Sequence, residues 1–182
     1  MTTLRADAQR NLGRILEAAT DAYAELGPDV TIDEIARRAG VGHGTVFRRF
    51  PTKDALRAAV IRARLDELLA TAHALLEEPD AGAAVEQFVW EVADSCLRDR
   101  ALFEGIESCG ERFAEVTAAK HELHDTADEL IRRAQRAGAM RAGLGARDVG
   151  ALVGAAIQAS AHAEGEDAWR RYVQVVLDGL KP

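Results

Sequence analysis

The side chains best placed to do chemistry fall in one short run: His43, Gly44 and Thr45, then Arg48 and Arg49, then Lys53. An imidazole can donate to a base edge, a glycine lets the backbone come close to a nucleic acid, and a hydroxyl suits a phosphate oxygen. Arg48 continues the same helical face, while Arg49 and Lys53 flank the exit toward the phosphates. Between Val41 and Arg64 six basic residues (Arg48, Arg49, Lys53, Arg57, Arg62, Arg64) stand against one acidic residue, Asp54. This is the chemistry of a major-groove reader. No Ser/His/Asp order, phosphate-cradling glycine loop or zincin helix occurs, so neither an enzyme nor a cofactor is expected.

The elements that must hold these residues are legible on both sides. From Asp7 to Leu26 the apolar positions Leu12, Ile15, Ala19, Ala22, Tyr23 and Leu26 recur every three or four residues, one face of a helix stopped by Gly27-Pro28. Thr31-Ile32-Asp33-Glu34 reads as a capping box, with the Thr31 hydroxyl and the Glu34 carboxylate reciprocally satisfying amides at the head of a second helix. Gly40-Val41-Gly42 separates it from a third, His43 to Phe50, which Pro51 ends. Two short helices joined by a glycine-containing turn form a helix-turn-helix. Val46 and Phe50 are expected to pack inward against Ile35 and Ala39, leaving His43, Thr45, Phe47 and Arg48 outward.

Thr52 can cap a fourth helix, Lys53 to Glu78, long enough to bridge two modules. Further helices are expected over Ala83–Arg98, Ala101–Cys109, Glu111–Ala139, Ala146–Ala163 and Asp167–Leu180, about nine in all. The fold class is all-α. A helix-turn-helix DNA-binding domain is assigned to residues 1–55 and a larger helical ligand-binding and dimerising domain to 56–182.

The 182 residues carry a net charge of −7, unevenly spread. Residues 1–64 hold 11 Lys+Arg against 8 Asp+Glu, and residues 65–182 hold 12 against 22, so a polyanion would meet the amino-terminal end. No apolar run is long enough to span a bilayer, and Met1–Asp7 lacks the apolar core of a secretory signal, so a cytoplasmic protein with no membrane partner is expected. Cys96 and Cys109 give neither a disulfide framework nor a zinc spacing. His121 and His124, near Asp125 and Asp128, read as a polar helical face rather than a metal site.

Thr31-Ile32-Asp33-Glu34-Ile35-Ala36-Arg37-Arg38-Ala39-Gly40-Val41, then Gly44-Thr45-Val46-Phe47-Arg48-Arg49-Phe50, then Lys53-Asp54-Ala55-Leu56, resembles the DNA-binding signature of the TetR family of bacterial transcriptional regulators. Ala134 to Arg141, followed by Asp148-Val149, is similar to a weaker pattern that precedes the dimerisation helices of many members. The resemblance implies a three-helix DNA-binding domain, a homodimer on a pseudo-palindromic operator in double-stranded DNA, and release by a small-molecule effector. It places the phosphate contacts on Thr45 and Lys53 and the base-edge contacts on His43, Gly44 and Arg48. With Thr31, Phe47 and Arg49 these make up the candidate DNA-binding set. Phe47 stands where the family often has tyrosine, and Gly42 where a serine cap is common.

Two further residue sets are expected. Phe88, Val92, Cys96, Phe103, Ile106 and Phe113 are candidate lining for an effector cavity. Val149, Leu152, Val153, Ala156 and Ile157, with Trp169, Tyr172, Val173, Val176 and Leu177, are candidate dimer contacts, although the same stripes could serve only the chain's own core. Arg5, Arg10 and Arg14 could form an arm into the minor groove or a solvated helix start. The rival reading of the whole is a helical small-molecule-binding protein that no longer reads DNA.

Overall fold

The structure, a computed structural model, describes residues 2–99, 113–165 and 167–182, and the side chains of all of these but 2–6 and 8. Eight α-helices and one 3-10 turn, with no strand, make up the described residues. They are α1 (Thr2–Leu26), α2 (Ile32–Ala39), α3 (His43–Arg49), α4 (Lys53–Leu76), α5 (Ala81–Arg98), α6 (Ala114–Arg136), α7 (Ala146–Ser160) and α8 (Ala168–Leu180). The helix expected over Ala101–Cys109 lies outside the described residues. None of these helices is long and apolar enough to cross a membrane. The chain divides into two compact units, one from Met1–Arg64 and Asp99–Thr117, the other from Leu65–Arg98 and Ala118–Pro182.

In the first unit the stripe of α1 is buried at Ile15, Ala19, Ala22 and Tyr23, opposite Ile35, Ala36 and Ala39 of α2. Helix α3 contributes one fully buried side chain, Val46, and Phe50 closes its end. Gly40 takes φ +63° past the end of α2, where its amide donates to the Arg37 carbonyl and the Val41 amide to that of Ala36. A side chain would strain this left-handed residue, and the turn between the two short helices therefore needs glycine.

Only half of the expected capping box forms. The Thr31 hydroxyl accepts from the Glu34 amide at 3.2 Å. The Glu34 carboxylate is instead held by Arg37, at 2.6 and 2.8 Å, and by Arg38 at 2.8 Å, and Arg38 also pairs with Glu25 of α1 at 2.8 Å. These bonds, Arg37 first and then Arg38, hold the carboxyl at a pKa of about 2 against an ordinary 4.5. A depressed carboxylate stabilises the fold above its ordinary range and loses that contribution as the pH falls. Thermal melts of the wild type and of Glu34→Gln are therefore expected to differ near neutrality and to converge as the pH drops from 4.5 toward about 2.

In the second unit, residues of α4, α5, α6, α7 and α8 share one core that includes Ala72, Val85, Val89, Leu130, Val153 and Val173. Helix α5 starts two residues earlier than the apolar pattern suggests, because the Asp80 carboxylate accepts from the amides of Gly82 and Ala83 at 2.9 and 3.0 Å. Helix α6 ends before Gly138, at φ +71°, with the Ala139 amide donating back to the Ala134 carbonyl at 2.9 Å.

The segment Ala134–Arg141 is a backbone lock. Gln135 Nε2 donates to the carbonyls of Arg141 and Leu144 at 3.1 and 3.0 Å, Met140 is buried, and Arg141 donates from its amide to Leu180 and from Nη1 to Gly179 at the end of α8. One turn back, the Arg133 guanidinium donates to the carbonyls of Leu75, Leu76 and Glu78 at the end of α4, at 3.1 and 2.7 Å for the first two. The head of α7 is closed by two carboxylates: Asp148 accepts from the Gly145 amide at 2.9 Å and Asp128 of α6 from that of Ala146 at 2.6 Å.

Candidate nucleic-acid interface

Helix α3 is short enough that its surface is set by how its one buried residue sits. With Val46 buried, His43, Gly44, Phe47, Arg48 and Arg49 are exposed and Thr45 is half-buried. Phe47 is 51% exposed, a large apolar side chain open on its outer side, as a residue packing on sugar or a thymine methyl requires. Thr45, Arg48 and Arg49 share an open cleft with Gln9, Asn11 and Leu12 of α1. Hydroxyl, amide and guanidinium groups thus converge beside the exposed face, the donor set that phosphate oxygens accept from. Thr31 serves as the α2 cap, and Lys53, half-buried, opens α4 behind the cap in which the Thr52 hydroxyl accepts from the Ala55 amide at 3.1 Å.

The basic stretch is divided by the fold. Arg62 Nη1 donates to the Glu115 carbonyl at 3.1 Å, and Arg64 lies 3.2 Å from Asp99, whose side chain is almost wholly buried. Two of the six basic residues counted in the sequence are therefore spent inside the first unit, Arg57 is half-buried, and Arg48 and Arg49 with half-buried Lys53 carry the outward charge. At the amino terminus, helix begins at Thr2, Arg10 pairs with Asp7, and Arg14 donates to the Gly40 carbonyl at 3.4 Å. The start of the chain is helical rather than an extended arm, and Arg14 supports the turn.

Sequence reasoning missed the residue that orients His43. Asp33, in the first turn of α2, places Oδ1 2.5 Å from His43 Nδ1, and the imidazole stacks on the Phe47 ring with centroids 6.1 Å apart and planes 15° apart. Ten residues separate Asp33 from His43, so no local spacing pointed to the pair.

Residues 15–60 match the family model of bacterial regulatory proteins of the tetR family, and residues 80–182 match the C-terminal domain of SbtR-like transcriptional regulators. A crystal structure of a TetR transcription regulatory protein from Mycobacterium vanbaalenii is 36% identical, with 98% of this chain and 99% of that one covered and a TM-score of 0.74. The chain belongs to the TetR family. A TetR transcriptional regulator from Streptomyces coelicolor is 26% identical, covering 93% of this chain and 98% of that one, with a TM-score of 0.74. An HTH-type transcriptional repressor of Mycobacterium tuberculosis is 58% identical over 48 residues, 26% of this chain and 26% of its own length. The match thus spans about a quarter of that relative, as it does of two other HTH-type regulators from mycobacteria.

Within this TetR-family chain the second unit holds most of the remaining candidate residues. Phe88 and Val92 line an apolar cavity with Val85, Val89, Ala127, Leu130, Ile131, Ala146, Val149 and Val153. Its volume is about 30 Å³, room for about one water molecule. Cys96 is half-buried one turn beyond Val92 and is not part of the lining, and Phe113 belongs to the first unit. Phe103, Ile106 and Cys109 lie outside the described residues. His124, one turn before Ala127 on α6, has Nδ1 buried without a partner, and burial, followed by Lys120 and Arg147, holds its pKa below the usual imidazole range.

Of the ten residues expected at a dimer contact, Val149, Val153, Ala156, Ile157, Trp169, Val173 and Leu177 are buried in this chain's own core. Leu152 is 44% exposed, and Tyr172 and Val176 are half-buried. Val175, absent from the expected set, is 70% exposed. The apolar run Val175-Val176-Leu177 is too wide for one helical stripe, and that width is the sequence signal that α8 carries a second apolar face.

Proposed function

We propose that this chain is a homodimeric transcriptional repressor that holds a pseudo-palindromic operator through α3 and is released by a small-molecule effector. The observation that carries the reading is the set of exposed side chains on α3, His43, Phe47, Arg48 and Arg49, held out by the single buried anchor Val46. Arg48 and His43 meet base edges. Thr45, Arg49 and Lys53 hold phosphates. Residues 1–55 form the DNA-binding domain and 56–182 the effector-binding and dimerising domain, in a cytoplasmic protein without catalytic activity.

One helix-turn-helix covers too little DNA for high specificity, and two copies related by a twofold axis set their reading helices about 34–36 Å apart, one turn of the duplex, or a multiple of it. The faces of α7 and α8 turned away from the core supply the contact, with Leu152, Tyr172, Val175 and Val176 as apolar anchors and Ala151, Ala155 and Gly179 allowing close approach. The effector is an uncharged, largely apolar molecule, since the cavity lining of α5, α6 and α7 offers it no charged group. Small-molecule sites occupy about 300–1,000 Å³, so the effector must part those helices to enter, and that displacement is the signal passed to α4.

Selection of the purified full-length protein on randomised duplexes, followed by footprinting and mass determination, tests this. The expected result is a twofold-symmetric site protected by a species of twice the 19.6 kDa chain mass. Enrichment of no site, or protection by a single chain, would overturn it.

A further inference from the structure

We propose that Asp33 decides which bases α3 accepts: its carboxylate fixes the proton of His43 on Nδ1, so that Nε2 faces the operator as a hydrogen-bond acceptor and selects an exocyclic amine, adenine N6 or cytosine N4. The proposal rests on the reading of α3 as the base-contacting helix.

The geometry leaves His43 little choice. It is the first residue of α3, its Nδ1 lies 2.5 Å from Asp33 Oδ1, and its ring stacks on Phe47. An ionised carboxylate only accepts hydrogen bonds, so the shared proton sits on Nδ1, and of the two neutral tautomers the contact selects the one whose Nε2 is bare. Nε2 has no partner among the described residues. In the major groove, adenine N6 and cytosine N4 are donors, whereas guanine presents O6 and N7 and thymine O4, all acceptors. A bare Nε2 pairs with the first two and meets the others lone pair to lone pair. The imidazole therefore accepts from the base instead of donating to it, which reverses the role its residue type alone suggests.

The same arrangement accounts for a carboxylate on this face. Asp33 is exposed, 78% at its side chain, in the first turn of α2 on a surface that approaches phosphates. Unpaired, its charge would oppose binding. Hydrogen-bonded to the imidazole, it positions a base-contacting group. Its contribution grows when DNA excludes water from the pair, because a charge-assisted hydrogen bond is stronger in a lower dielectric.

The test is duplex selection with the full-length wild type, Asp33→Asn, Asp33→Ala and His43→Ala, with circular-dichroism melts to confirm folding. Asparagine can donate to Nδ1 or accept from it, so Asp33→Asn releases the tautomer while keeping size and position. The wild type is expected to prefer adenine or cytosine over guanine or thymine about fivefold at one symmetry-related pair of positions, the size of one net hydrogen bond. That preference should fall to near parity in all three variants, with the remaining positions unchanged. Ring ¹⁵N spectra of the free wild type at a pH of about 8, where an ordinary imidazole is neutral, should show His43 protonated at Nδ1 and bare at Nε2.

Selection of guanine or thymine at the position lost in His43→Ala would overturn the proposal, as would a preference that survives Asp33→Asn and Asp33→Ala, or a ring protonated at Nε2. A selected site indifferent to His43→Ala would remove His43 from the interface and the proposal with it. Enrichment of no duplex by the wild type would overturn the reading of α3 itself, an outcome the ring spectra distinguish from loss of the tautomer alone.

Discussion

Arg48→Ala is expected to weaken binding to a selected operator by about 1–3 kcal/mol for each half-site, twice that for the dimer, while binding to random duplex changes little. Arg48 is exposed on the last turn of α3, on the side opposite buried Val46, where a guanidinium can bind guanine O6 and N7 together. Removing it loses a contact that only the right base rewards. Lys53→Ala is the matched control. A lysine at the head of α4 serves as a point charge for a phosphate, so its loss should weaken binding to every duplex alike and reduce the salt slope by about one unit per site. Titrations on operator and random DNA at several salt concentrations separate the two roles. Equal losses on both DNAs for both variants would contradict them.

Arg133→Ala is expected to destabilise the second unit by about 2–4 kcal/mol, since hydrogen bonds from a charged donor are worth more than neutral ones and three carbonyls lose its donation together, Leu75 keeping only the Glu78 amide. For a chain of this size that lowers the melting temperature by roughly 5–15 °C. The last carbonyls of α4 have no partner within the helix, and Arg133 of α6 supplies one fork for Leu75 and Leu76 and for Glu78 just beyond the helix end. Lysine, a single point of charge, should recover only part of the loss. A melting curve unchanged in Arg133→Ala would show that water replaces the guanidinium without cost.

The helices of the first unit could be read from the chain because their ends are marked locally: Thr31, Gly40, Gly42, Pro51 and Thr52 each act within four residues of themselves. The start of α5 was open to the same logic through Asp80, which follows a proline and precedes the apolar stripe. Contacts between elements were not legible. Nothing near His43 points to Asp33, and counting charges between Val41 and Arg64 cannot reveal that Arg62 and Arg64 turn inward to Glu115 and Asp99. Apolar periodicity has the same blind spot. It marks Val149, Val153, Trp169 and Val173 as buried, and burial in a chain's own core looks the same in sequence as burial against a second copy. Only the folded chain separates Leu152 and Val175, left outside, from their neighbours.

The chain's two tryptophans, Trp90 on α5 and Trp169 on α8, meet edge to face with centroids 6.0 Å apart, and the Arg170 guanidinium lies 4.4 Å from the Trp169 ring centroid. Both indoles belong to the second unit. Tryptophan emission from this protein therefore watches α5 and α8: anything that pries them apart shifts its colour and intensity, while the helix-turn-helix, which holds no tryptophan, contributes none of it.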